Sequence, residues 1–202
     1  MTLTGTAATD GARADSLGAA PFRTIFNSAT GEQIEFTDVR EDIVRLSWRS
    51  IPGGAITEHV HPRQRERFII TAGEAHFTLN GEKRIVGAGE TLDVPAGVPH
   101  SEGNPGSVEV VGVVELRPAL RTKQMFEAFA GLAAEGKTTA RGAPKNPLQL
   151  GATVWHFRHE SRATSPPGWL QNLVIAPLAL LAKVFRVRPY NDRWNTRISD
   201  QS

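Results

Sequence analysis

The chain has 202 residues, 40% hydrophobic and 22% charged, a length and mix that suit one globular domain with an appendage, or two small domains, and argue against a fibrous or wholly disordered protein. It has no cysteine, which excludes disulfides, zinc–thiolate sites, iron–sulfur clusters and a thiol nucleophile, and leaves histidine and carboxylate as metal ligands. The net charge of +2 hides a split: residues 1–120 hold 11 Lys/Arg against 16 Asp/Glu, a net −5, and residues 121–202 hold 12 against 5, a net +7.

Residues 1–20 are small and polar. They carry too little apolar surface to offset chain entropy and read as a disordered tail. They have neither the basic start nor the apolar run of a signal peptide, so the expected location is cytoplasmic. Residues 21–118 read as a β domain. The segments FRTIF (22–26), QIEF (33–36), IVRLSW (43–48), ERFIIT (66–71), AHFTL (75–79) and VEVVGVVEL (108–116) are rich in β-branched and aromatic residues. Gly and Pro stand between them, and Asn80-Gly81 is the signature of a type I′ hairpin. Many short strands with close turns and no helical period between them predict an antiparallel sandwich or barrel.

The period changes after Pro118. Residues 119–188 read as a helical extension that packs on the barrel or on a partner subunit, and residues 189–202 as a frayed tail. Met125, Phe126, Phe129, Leu132 and Ala133 recur at helical spacing, with Thr122 as the expected N-cap and Gly136 as the stop. A second helix is expected around Leu148 to Glu160 and a third from Trp169 to Phe185. The third has Gln171, Asn172, Pro177 and Lys183 inside 17 residues, short of a spanning helix. Its apolar surface suits burial against a second subunit, hence an expected homodimer. Peripheral contact of the 169–185 helix with an anionic membrane, helped by Arg186, Arg188 and Arg193, is the less favoured reading. Nucleic-acid binding is not expected, because the basic residues are scattered and not interleaved with stacking aromatics.

Three histidines and a glutamate stand out against this background. His59 and His61 are two apart and so share one face of a strand. Glu66 follows near the start of the next strand, and His100 ends a distant one. Three neutral imidazoles and a carboxylate suit a divalent first-row metal (Fe, Mn, Ni, Zn or Cu) and leave coordination positions open. The flanking residues sharpen this. Gly53, His59, His61, Glu66 and Gly73 form one run, and Gly89, Pro95, Gly97, His100 and Asn104 another. The two runs resemble the two motifs of the cupin superfamily at every fixed position, in the compact form of small bacterial single-domain members.

The resemblance covers about residues 43–116. It implies an all-β double-sheet jelly-roll (cupin) barrel with the helices as a C-terminal extension. It also implies His59, His61, Glu66 and His100 as the ligands of one metal per chain. Gly53, Gly73, Gly89 and Gly97 fit sharp turns, Pro95 a strand end, and Asn104 a loop cap. By strand parity, Gln64, Phe68 and Ile70 continue the face of Glu66, and Ala55 and Thr57 that of His59. Trp48 and Phe77 complete an apolar pocket for a small organic molecule. Arg63, Arg65 and Arg67 take the opposite face, and His76 faces out. His156, His159 and Glu160 read as a polar helix face rather than a second metal site. The leading expectation is a dioxygenase-type oxidoreductase acting on an enol or phenolic substrate, with Glu66 as ligand and transient base. The alternatives are a non-redox isomerase, cyclase or lyase, and a non-catalytic metal- or ligand-binding cupin.

Overall fold

A computed structural model describes residues 24–195. The expected tail over 1–20, Phe22 and the last seven residues lie outside the described residues. Eleven strands and three helices follow in chain order among the described residues: β1 (Ile25–Asn27), β2 (Glu32–Val39), β3 (Val44–Ser50), β4 (Ala55–Val60), β5 (Arg65–Ala72), β6 (Glu74–Leu79), β7 (Glu82–Gly87), β8 (Thr91–Val94), β9 (His100–Gly103), β10 (Val110–Arg117), α1 (Thr122–Ala134), α2 (Pro147–His156), β11 (Arg162–Ala163) and α3 (Gly168–Val184).

The strands form two antiparallel sheets, ordered β1-β2-β3-β10-β5-β8 and β11-β4-β9-β6-β7. They face one another as a jelly roll. Alternation decides which side chains meet between them: Val44, Leu46 and Trp48 of β3 are buried while Arg45 and Arg49 are exposed. With Ile34, Phe36, Phe68, Ile70, Phe77, Val86 and Val114 they make the core. Trp48 and Phe77 pack edge-on against Phe68, with ring centroids 5.9 and 4.8 Å apart.

The turns follow their chemistry. Asn80 and Gly81 both have positive φ, 49° and 85°, and β6 pairs with β7 directly across them, as a type I′ turn requires. Gly73 is constrained twice. Its φ is 78°, and a Cβ there would come 2.5 Å from the Glu109 carbonyl oxygen. Asn104 locks the loop after β9: its side-chain amide donates to the carbonyls of Ser50 and Val108, both at 2.8 Å, and its Oδ1 accepts from Gly106 N–H.

The extension departs from expectation in three places. Thr122 is the first residue inside α1 rather than its cap. Arg121 holds the cap position with no side-chain bond, and its N–H instead donates to Glu160 Oε1 at 3.1 Å. A carboxylate at a helix N-terminus does the electrostatic work of a cap. The second helix ends at His156, not Glu160, so His156 and His159 do not share a helix. The segment from 189 is docked rather than frayed as far as residue 195: Tyr190 donates to the buried Glu127 at 2.9 Å, and Trp194 lies over Gly131, where a Cβ would come 2.5 Å from the indole.

α3 packs along α2 through Gly151, where a Cβ would meet the Cβ of Leu178 at 2.5 Å and the Ala179 backbone nitrogen at 2.8 Å. Its opposite face is open: Trp169, Leu173, Leu180 and Val184 are 64–68% exposed. No helix among the described residues is long and apolar enough to cross a membrane. Gly151→Ala is expected to wedge α3 away from α2 and cost about 1–3 kcal/mol, measured as a lower thermal midpoint by circular dichroism.

Candidate metal centre

The four candidate ligands meet at one end of the space between the sheets. His59 and His61 leave the end of β4, and His100 opens β9, where it is the direct cross-strand partner of His59. Glu66, the second residue of β5, reaches in from the other sheet. One ligand atom from each lies within 4.8 Å of all the others. His61, Glu66 and His100 are buried, and His59 is partly so.

β4 holds His59 with a bulge. Ile56 pairs with Glu102 and His59 with His100, so β4 spends one more residue than β9 between those pairs. This flips the parity: Ile56, not Ala55, shares the inward face with His59. The expectation for Ala55 fails for that reason, and Ala55 is exposed.

Each imidazole is oriented by its Nδ1. His59 Nδ1–H donates to the Thr57 carbonyl at 3.1 Å and His100 Nδ1–H to the Val98 carbonyl at 3.0 Å. His61 Nδ1–H donates to the Glu160 carbonyl, which lies just beyond α2. A proton on each Nδ1 leaves three Nε2 lone pairs pointing inward. His59 Nε2 and His61 Nε2 then face each other at 3.2 Å, and Glu66 Oε2 stands 3.0 Å from His100 Nε2 and 3.4 Å from His61 Nε2. Acceptors set so close repel unless a cation joins them. The donor set therefore fits a divalent metal held by three imidazoles and a carboxylate.

The electrostatics agree. Burial pushes His59 down to about 3, with the neighbouring His61 and His100 adding to it. Burial works to raise the Glu66 carboxyl, but His61 and His100 overcome it and hold that group below the ordinary carboxylate range. The same pairing lifts His61 against its own burial.

The cluster lies in the wall of a cavity of about 690 Å³ that is mostly apolar, a size suited to a small organic ligand. Trp48 and Phe68 line it as expected. Ile70 and Phe77 do not: both are fully enclosed core residues, because the barrel interior is filled beyond the metal end. Gln64 is inward but not in the cavity. Its Nε2 donates to the Pro118 carbonyl and to Thr122 Oγ1, both at 2.7 Å, tying β5 to the start of α1. The outer wall comes from the extension, with Phe126 and Phe129 of α1, Val154 of α2, and Leu170 and Val174 of α3.

Two buried carboxyls in this lining, Glu32 and Glu102, lie outside the sequence reading. Glu32 opens β2 with the inward parity of Ile34 and Phe36. It accepts from Trp48 Nε1 at 2.8 Å and from Thr30 Oγ1 at 3.0 Å. Glu102 lies two residues beyond His100 on the same face of β9. Burial pushes Glu32 up to about 7, with the charge of Glu66 adding to it against the hydrogen bonds from Trp48 and Thr30. Burial raises Glu102 as well, followed by Glu66 and Glu32. His76 faces out beside Glu74, and Arg67 pairs with Asp93 on the outer face. The described residues hold no second cluster of metal-binding side chains.

A jelly roll with three histidines and a glutamate converging at one end defines the cupin class of protein. Residues 47–114, about a third of the chain, match the family model of the cupin domain, and that segment of the chain is a cupin domain. A mannose-1-phosphate guanylyltransferase of Salmonella montevideo is 38% identical over 86 residues, 43% of this chain and 17% of that protein. Oxalate oxidase 2 of Hordeum vulgare is 38% identical over 71 residues, 31% of this chain and 32% of that protein. This chain thus spans only a small part of the curated relatives it matches. A solved protein of Klebsiella pneumoniae with a double-stranded β-helix domain shares 25% identity over 48% of this chain and 84% of its own, at a TM-score of 0.43.

His59→Ala or His100→Ala is expected to lower bound metal sharply in elemental analysis while the circular dichroism spectrum stays that of a folded protein. Glu32 predicts a pH effect. Its folded pKa lies above the unfolded value of 4.5, at about 7, so its stabilising contribution is full below about pH 4.5 and fades as the pH rises through about 7, at up to about 1.4 kcal/mol per pH unit. Glu32→Gln keeps an acceptor for Trp48 and removes the titration, so its thermal midpoint should fall less between pH 5 and 8 than that of the wild type.

Proposed function

We propose that this protein is a metal-dependent, dioxygenase-type oxidoreductase acting on an enol or phenolic small molecule. The observation that carries the reading is the convergence of three Nε2 atoms and one carboxylate oxygen on the wall of an apolar, aromatic cavity. A divalent first-row metal held by His59, His61, Glu66 and His100 would supply Lewis acidity toward a substrate oxygen and, where redox-active, electrons for dioxygen. The chain's own residues do the rest. Thr57, Val98 and Glu160 keep the imidazoles in the binding tautomer. Trp48, Phe68, Phe126 and Phe157 exclude water and hold a flat organic molecule against the cluster. Glu66 takes the proton that an enol or phenol loses when it binds as the anion.

The oxalate oxidase of Hordeum vulgare, a relative over part of this region, lends support to redox chemistry on a small oxygen-bearing molecule. The test is oxygen uptake by the metal-loaded protein across a panel of phenols and β-diketones, with the expected result of substrate-dependent uptake lost in Glu66→Ala. Turnover without uptake under anaerobic conditions would replace this reading with a non-redox isomerase, cyclase or lyase. Ligand binding without turnover would make the protein a binder. The uncharged outward stripe of α3, whose exposed residues recur at three- and four-residue spacing, supports a homodimer packed helix against helix. Light scattering should then give twice the chain's 21.9 kDa mass.

A further inference from the structure

Glu102 is a costly residue where it stands. It is 92% buried, and its Oε2 has no hydrogen-bond partner among the described residues. A buried polar atom left unpaired destabilises the fold, because it has lost its water and gained no partner. Nothing in the fold needs a carboxyl there: its neighbours across the strands are Ile56 and Phe77, and an apolar side chain would pack between them. What it does have is a place in the cavity wall, beside Glu32 and on the same lining as His59, His61 and Glu66.

The geometry fixes where along the cavity it acts. Glu102 follows His100 by two residues on one face of β9, so the two side chains leave the strand about 7 Å apart. Glu32 arrives from the opposite sheet with both oxygens oriented by Trp48 and Thr30. The histidine cluster and the carboxyl pair are thus two polar places on a mostly apolar wall, which also carries Asn27, Glu58, Arg141 and Arg162.

We propose that Glu102, supported by Glu32, anchors the substrate's far end by accepting a hydrogen bond from a hydroxyl or amino group. The substrate class is then a small molecule with an enolic or phenolic oxygen at one end and a hydrogen-bond donor at the other. This inference rests on reading the cavity as the substrate site and adds the recognition of the end away from the metal cluster.

The experiment compares two probes of the same shape, 4-(hydroxymethyl)phenol and 4-ethylphenol, by calorimetric titration of the full-length protein carrying its metal. Wild type should bind the hydroxymethyl compound about tenfold more tightly, the worth of one hydrogen bond to a carboxyl. Glu102→Leu should bind the two equally, keep the wild-type metal content and melt no lower than wild type, since it replaces an unpaired polar group with a shape that packs. Equal affinities in wild type overturn the proposal without any variant, as does a preference that survives Glu102→Leu. A variant that loses metal or melts several degrees lower assigns Glu102 to the scaffold and also overturns it. Wild type that binds neither probe while holding metal overturns the substrate-site reading itself, and this inference with it.

Discussion

The site depends on where three protons sit. Each imidazole commits its Nδ1 proton to a main-chain carbonyl, and that choice turns three lone pairs toward one point. The carbonyls are rigid parts of the fold. Two of them come from two residues upstream of the histidine they hold, Thr57 for His59 and Val98 for His100. Local geometry is thus enough to orient two ligands, and the bulge in β4 is what brings the first of these pairs into line. The third carbonyl, on Glu160, is 99 residues away from His61 in sequence. The helical extension is therefore part of the centre, not an ornament on the barrel.

The legible part of the molecule was the part governed by short-range rules. The four ligands, the glycine turns and the Asn80-Gly81 hairpin follow from spacing and from which residues tolerate positive φ. Parity gave the burial of Gln64, Phe68 and Ile70 correctly, yet it could not say what each would touch. Gln64 found the carbonyl of Pro118, and Ile70 found the core, because a face is a local property and a neighbour is not. The sequence around Glu58 continues an ordinary strand pattern and gives no sign of the bulge. Ala55 was placed on the wrong side as a result.

Glu32 and Glu102 were missed for another reason. The β-branched and aromatic pattern of the first strand starts at Gln33, one residue past Glu32, and the polar sequence after His100 carries no strand signal. An acidic residue at an apolar parity position was the available signal in both cases. Their burial makes sense only beside the cavity, whose outer wall is contributed by helices that no motif describes. The cupin match ends at residue 114, whereas Phe126, Phe129, Val154 and Leu170 all line the cavity. The shared segment thus supplies the ligands, and the private segment supplies much of the shape a substrate meets.

The bond from His61 to the Glu160 carbonyl links two equilibria. Docking of the segment after α2 fixes the tautomer of one ligand, so an ion bound at the cluster favours the docked extension. By the reciprocity of linked equilibria, docking favours the bound ion by the same factor. Glu160 also holds the first turn of α1 through Arg121, so the influence of an occupied centre reaches the helix whose aromatic residues wall the cavity. Occupancy of the centre and docking of the extension are thus coupled through one shared free energy.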